Sequence, residues 1–348
     1  MTKKPIHKKR TKLFTASSRS IGRLAARRKN TKSAVYQQTN SAKSSNRQIP
    51  LGRSSKISSM SLHQMPFPFA LHVAVNVSSV SHRSPFRYPG GKTWLIPHVY
   101  RWLMSRNRKP SVFVEPFAGG AITGLTIAFE QLADRVVLVE LDADVSAVWH
   151  VVLNGKGAAL ADRIEAFDLT LPSVKSVLSA ENKKIEDRAF ATLLRNRVQH
   201  GGILAAGASL MKDGEKGKGI KSRWYPQTLA RRIRDIIGVK DRIESHTDDA
   251  FAFIKKYATD ESAVFFVDPP YTVAGRRLYR HSEIDHAALF KAMSKVAGDF
   301  LMTYDNTEEV RKWASEYGFD VEQVAMKSRQ HTEKNELLIG RNLKWARG

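Results

Sequence analysis

From residue 86 onward, short apolar runs alternate with longer segments of mixed polarity. "SVFVE" (111–115) predicts a short buried strand, "AITGLTIAFEQLA" (121–133) a helix, "RVVLVE" (135–140) a second strand and "ADVSAVWHVVLN" (143–154) a second helix. Strand, helix, strand, helix with short connections predicts βαβ units, and hence a parallel sheet covered on both faces. The rhythm returns with "SAVFFV" (262–267), a helix over 285–297, "DFLMTY" (299–304), a helix over 307–316, "FDVEQVAM" (319–326) and "ELLIG" (336–340). The last two predict an antiparallel hairpin at a sheet edge. No internal repeat is visible.

Ligands of such folds lie beyond the carboxyl ends of the strands, where the strand order reverses. The first strand ends in "EPFAGGA" (115–121), an acid followed by small residues opening a helix, which allows close backbone approach and offers free N–H groups. The stretch lacks both the GxGxxG spacing of pyrophosphate binders and the GxxxxGK[ST] of P-loops. Glu140, in "VELDADV", ends the second strand, where a carboxylate can accept hydrogen bonds from a ribose diol; Asp142 suits the cap of the next helix. A ligand with a ribose and no pyrophosphate follows, and S-adenosylmethionine is the common candidate.

Composition changes the picture at the N-terminus. The net charge is +24, yet the first acidic residue is Glu115; 23 Lys and Arg precede it, 16 of them in residues 1–60, leaving 34 basic against 33 acidic residues beyond. The positive charge therefore belongs to the N-terminal third. Residues 1–80 are rich in Lys, Arg, Ser, Thr and Asn and read as a disordered basic arm, able to bind polyanions by counterion release. Two other readings stand beside it: Met60 and Met65 offer later starts, and an Arg/Ser-rich, acid-free N-terminus resembles an organellar transit peptide. The absence of cysteine excludes disulfides, thiolate zinc sites and a cysteine nucleophile. No apolar run reaches the roughly 20 residues that span a bilayer, the "MPFPFALHVAVNV" stretch (65–77) being short and broken by prolines. A cytoplasmic protein without membrane association is expected. The eleven histidines show no HExxH-like spacing, so no metal is expected.

"VFFVDPPYTV" (264–273) carries the most chemistry. Proline lacks an N–H and fixes φ, so "DPPY" is a stiff loop that presents two acceptors, the Asp268 carboxylate and the Pro269 carbonyl. Two acceptors suit a group with two N–H bonds, such as an adenine amine. Holding both hydrogens favours a pyramidal nitrogen whose lone pair can attack a sulfonium methyl in line, a matter of positioning and charge stabilisation. Tyr271 supplies a ring on which a flipped-out base can stack. The bland alternative is a proline turn with a capping acid and a core tyrosine, and the position of the loop after two other ligand-facing strand ends weighs against it.

With these stretches in order, the chain resembles the DNA adenine methylase family, the N6-adenine methyltransferases in which the cofactor motifs precede the target-recognition region and "DPPY" follows it. "FRYPGGK" (86–92), "VEPFAGGA" (114–121), "VLVELDADV" (137–145) and "VFFVDPPY" (264–271) carry the match. The resemblance implies a Rossmann-like α/β methyltransferase domain over 81–154 and 243–348, with a mainly helical target-recognition domain inserted at 155–242. It implies that Tyr88, Lys92, Glu115, Phe117, Gly119, Glu140, Asp248 and Asp268 surround S-adenosylmethionine, and that Asp268, Pro269, Pro270 and Tyr271 form the catalytic loop. Glu140 stands where many members have Asp, and Asp249 competes with Asp248 for reading the adenine of the cofactor or caps the next helix.

In the recognition region, "MKDGEKGKGIKSRWYP" (211–226) has the Gly, Lys, Arg, Trp and Tyr mix that contacts phosphates and wedges bases. Asn196, Arg223, Tyr225 and, after the catalytic loop, Arg276 are the expected DNA contacts. The expected partner is double-stranded DNA, with room for a cognate restriction endonuclease, and the expected state is a monomer or weak dimer. Competing readings are methylation of another planar nitrogen (cytosine N4, an RNA adenine or a protein glutamine), a relative that binds DNA without turnover, and a plain nucleic-acid binder driven by its basic arm.

Overall fold

The computed structural model describes residues 80–87, 91–181, 184–205, 207–213, 217–271, 283–327 and 333–347. Seven strands form one sheet: β1 (Val112–Glu115), β2 (Arg135–Val139), β3 (Ile243–His246), β4 (Ala263–Val267), β5 (Asp299–Asp305), β6 (Asp320–Lys327) and β7 (Glu333–Gly340). Their order is β3-β2-β1-β4-β5-β7-β6. The first five run parallel, and β7 inserts antiparallel between β5 and β6. The strand order reverses between β1 and β4, where Val112, Phe113 and Val114 pair with Ala263, Val264 and Phe265. That reversal brings the acid ending β1 beside the loop that follows β4.

Strict alternation along these strands builds a core on each face. Phe113, Val136, Leu138, Val264 and Phe266 point into one cluster; Val112, Val114, Val137, Val139, Phe265 and Val267 point into the other. The first cluster is completed by α1 (Ile96–Met104), α2 (Ile122–Phe129) and α3 (Ala143–Leu153), the second by α8 (Ala250–Lys256), α9 (His286–Ser294) and α10 (Glu308–Glu316). Both faces of β1, β2 and β4 are thus covered, which explains their unbroken apolar sequence.

The segment 155–242 is helical, as expected: α4 (Gly157–Ala166), α5 (Leu171–Ser179), α6 (Ile185–Val198) and α7 (Pro226–Ile237). Its apolar residues, among them Leu160, Ile164, Phe190, Leu193 and Ile233, join the same cluster as the first sheet face. The insert is therefore seated on the sheet domain through a shared core.

Several predicted boundaries shift, among them the end of the helix expected over 285–297, which stops at Ser294, and one strand was not foreseen. The helix expected over 121–133 ends at Phe129, because Gln131 takes a left-handed conformation at φ 55°. β7 begins at Glu333, three residues before "ELLIG", because polar residues there continue the ladder, Asn335 opposite Ala325 and Glu333 opposite Lys327. The unforeseen strand is β3, "IESH", of which only Ile243 is buried. As an edge strand paired on one side only, with β2, it needs no apolar run.

Candidate active site

The turn after β1 is shaped by its small residues. Gly119 lies at φ 45° and Ala121 at φ 48°, both left-handed, and α2 starts directly afterwards. One turn into α2, a Cβ on Gly124 would stand 2.6 Å from Glu115 Oε2 and 2.7 Å from Leu138, so only glycine lets the helix come this close to the sheet. In return the Gly124 N–H donates to Glu115 Oε2 at 2.8 Å. Glu115 is buried, and burial pushes its carboxyl well above the usual range; the Gly124 N–H works against that shift and the charge of Asp268 adds to it.

Glu140 follows β2 and ties the neighbouring turns together. Its Oε2 accepts from the Gly119 N–H at 2.7 Å and its Oε1 from the Asp142 N–H at 2.8 Å. The Gly119 carbonyl in turn accepts from the Trp149 indole at 2.9 Å, so the turn is held from both sides. Burial pushes the Glu140 carboxyl up to about 7, against the pull of the N–H groups of Asp142 and Gly119. Asp142 caps α3 through the N–H of Asp144 at 2.8 Å, the role its position suggested. Between the two acids Leu141 is 51% exposed, an apolar side chain left in the open at the strand end. Beyond β3, Asp249 accepts from the Phe251 N–H at 2.9 Å and caps α8; Asp248 is exposed and accepts from the Asp249 N–H. The helix cap is thus Asp249, and Asp248 is the acid left facing outward. Phe117 is half-buried against the second cluster.

The loop after β4 is the most heavily connected. Asp268 Oδ1 accepts from the Thr303 hydroxyl on β5 at 2.7 Å and pairs with the Lys92 ammonium at 3.1 Å. Lys92 also donates to the Tyr271 hydroxyl at 2.6 Å, and lies 3.3 Å from Glu336 Oε2 on β7. The Tyr271 hydroxyl donates to the same Glu336 oxygen at 2.9 Å. The Lys92 ammonium stands 4.7 Å from the centre of the Tyr271 ring, which packs nearly parallel to Tyr304 at 6.1 Å. Four segments thus converge: the turn at Lys92–Leu95, the β4 loop, β5 and β7.

Burial pulls the Lys92 ammonium down, but Asp268 first and then Glu336 outweigh it, and the lysine ends above its ordinary value. Burial raises Glu336, with Lys92 opposing. Tyr271 is pushed well above the usual phenol range by burial and by the charges of Asp268 and Glu336. The lysine is therefore charged and the phenol neutral at neutral pH.

The expected DNA contacts fare differently. Asn196 is a correction: it is fully buried, its Oδ1 accepting from the Arg87 N–H at 2.8 Å and its amide donating to the carbonyls of Arg87 at 2.9 Å and Gly202 at 2.8 Å. A side chain with no surface and every group engaged holds the segment before "YPGGK" and offers no exposed atom to DNA in this structure. Arg197 donates to the Pro85 carbonyl, and Arg232 on α7 to the Ser84 carbonyl at 3.0 Å, so α6 and α7 together grip residues 84–87. Tyr225 is 52% exposed and Arg223 half-buried at the end of the 3-10 turn Gly219–Arg223. Tyr88 and Arg276 lie outside the described residues. Thr303 and Glu336 were missed by motif reading. The available signal was an acid inside an apolar strand, "NELLIG".

A mostly parallel α/β sheet of this order, with acids at the ends of β1, β2 and β4, is Rossmann-like. The chain belongs to the D12 class N6 adenine-specific DNA methyltransferase family, whose model matches residues 88–330. No curated protein matches it. Among solved structures, it is similar to the rRNA methyltransferase aviRa from Streptomyces viridochromogenes, with 13% identity, 73% of this chain and 86% of that one covered, and a TM-score of 0.37. It is also similar to a methyltransferase from Geobacter sulfurreducens, with 12% identity, 70% and 76% coverage and a TM-score of 0.31. Membership of that family implies S-adenosylmethionine as methyl donor. The residues present suit it: an open left-handed glycine turn, a carboxylate at the end of β2, an exposed leucine beside it and an outward-facing acid after β3.

Proposed function

We propose that this protein methylates the N6 amine of adenine flipped out of duplex DNA, with the reaction centred on Asp268. The observation that carries this reading is the fixed state of the Asp268 carboxylate. Thr303 and Lys92 both engage Oδ1, and Oδ2 accepts from no described residue, so one oxygen is anchored and the other remains for the amine. With the Pro269 carbonyl as second acceptor, both amine hydrogens can be held while the lone pair turns to the donor. The Tyr271 ring, fixed at its hydroxyl by Lys92 and Glu336, is a rigid wall for the base.

Around the donor, Glu140 accepts from the ribose hydroxyls, Leu141 offers its apolar face to the adenine and Asp248 reads the adenine amine. Lys92 and Tyr88 line the methionine side together with Asp268, and Phe117 and Gly119 shape the turn beneath. S-adenosylmethionine supplies the activated methyl group when bound. Arg223 and Tyr225, on an exposed edge of the helical insert, and Arg276, after the catalytic loop, are the DNA contacts of this reading. The insert at 155–242 is its target-recognition region, carried on the sheet domain.

The test is tritium transfer from labelled S-adenosylmethionine, offered in parallel to unmethylated duplex DNA, to RNA and to protein. Label in DNA alone supports the reading. Label in RNA or in protein amides, with DNA blank, overturns it and selects one of the other planar nitrogens.

A further inference from the structure

Glu336 has no place in the motifs that suggested the function, yet it sits at the end of a continuous chain of hydrogen bonds from the catalytic carboxylate. The order is Asp268 Oδ1, Lys92 Nζ at 3.1 Å, Tyr271 hydroxyl at 2.6 Å from that nitrogen, and Glu336 Oε2 at 2.9 Å from the hydroxyl. Lys92 donates at both ends, to Asp268 Oδ1 and to the phenol, and the phenol donates to Glu336. A direct contact of 3.3 Å between Lys92 and Glu336 closes the loop. Lys92 at 5% and Glu336 at 6% exposure are buried, and Asp268 and Tyr271 are half-buried.

Methylation of a neutral amine leaves a proton to be removed. The amine lone pair takes the methyl group, the electron pair of the broken carbon–sulfur bond stays on sulfur, and the nitrogen becomes a cation with one proton too many. We propose that Glu336 is the terminal acceptor of that proton, delivered from Asp268 through Lys92 and Tyr271. The nitrogen–hydrogen bond breaks as Asp268 takes the proton. Lys92 passes one ammonium proton to the Tyr271 oxygen as it receives that of Asp268, and the Tyr271 hydroxyl proton moves to Glu336. At the end Lys92 is again an ammonium, Tyr271 a phenol and Asp268 a carboxylate, and one oxygen–hydrogen bond has formed on Glu336. Asp268 is thereby restored to a carboxylate, and Glu336 gives its proton to solvent after product leaves, which resets the relay for the next turnover.

Burial lifts Glu336 above the ordinary glutamate range and so suits it to receive a proton. The charged and titratable groups facing it are Lys92, Asp268 and Tyr271, with Asp305 opposite it on β5. Glu336 is accordingly a positioning residue for Lys92 and Tyr271 in the resting enzyme and a proton acceptor during turnover. The inference rests on the adenine methyltransferase reading.

The test compares wild type with Glu336→Gln and Glu336→Asp on unmethylated DNA, over pH 5.5–9 (a range of about three to four units), after thermal melting confirms that the variants fold. Glutamine keeps the shape and accepts the phenol hydrogen bond but takes no proton. The expected result is a kcat lower by about 100-fold in Glu336→Gln, with KM for S-adenosylmethionine changed less than about threefold and the acid limb of the kcat profile displaced. Glu336→Asp restores part of the rate. Unchanged kcat and acid limb in Glu336→Gln, or a loss of cofactor affinity matching the loss of rate, overturns the relay. Should wild type transfer nothing to DNA, the adenine reading fails by itself, and the relay is judged on the free protein by carboxyl carbon NMR. A resonance missing in Glu336→Gln that titrates above the ordinary glutamate range supports it, and titration within that range contradicts it.

Discussion

At the residue scale, the account rests on a few side chains whose partners decide their role. Thr303 fixes one oxygen of Asp268, so Thr303→Val should leave cofactor affinity nearly intact and lower kcat by about tenfold, the loss of one hydrogen bond to a charged group of about 1.5–3 kcal/mol being only partly expressed in the transition state. Steady-state kinetics at saturating S-adenosylmethionine checks this. Glu140, raised by burial to about 7, should be mostly protonated below that pH and ionised above it. Its ionised form accepts better from a ribose diol. Cofactor affinity measured by calorimetry should therefore rise with pH through about 7 in wild type and flatten in Glu140→Gln. Gly124→Ala would drive a methyl into Glu115 and Leu138 and should cost about 1–3 kcal/mol of stability by denaturant melting.

At the element scale, the strand ends that hold the site were legible because β1, β2 and β4 each read as an apolar run stopped by an acid: "FVE", "LVE" and "FVD". The same logic hid β3, whose edge position asks for little burial, and it hid the partners of the loop after β4. Thr303 and Glu336 come from β5 and β7, 35 and 65 residues from Asp268 and Tyr271, and only the sheet order brings them together. Asn196 was misplaced for a related reason. A polar residue in a basic, glycine-flanked helix end looks like a nucleic-acid contact, whereas the fold turns it inward onto the backbone of Arg87 and Gly202. Asn196→Ala should lower stability by about 1–3 kcal/mol in thermal or chemical melts, from the unsatisfied backbone groups it leaves. Because residues 84–87 lead straight to Lys92, it should weaken cofactor binding more than DNA binding, a comparison that separates a structural clamp from a DNA contact.

At the scale of the whole molecule, charge and catalysis occupy different parts of the chain. Acidic and basic residues nearly balance from Glu115 onward, and the basic excess lies before it. DNA affinity in a salt titration should lose part of its slope when residues 1–79 are removed, while kcat on a saturating duplex persists. The sheet domain and its helical insert share one core, so the chemistry belongs to residues 80 onward in this account.

The most direct measurement identifies the modified nucleoside. Duplex DNA free of methylation, incubated with S-adenosylmethionine and either wild type or Asp268→Ala, is digested and its nucleosides separated by mass. The account predicts N6-methyladenine with the wild type and none with the variant, at unchanged cofactor binding. Methylcytosine, or N6-methyladenine that persists without the Asp268 carboxylate, would contradict it.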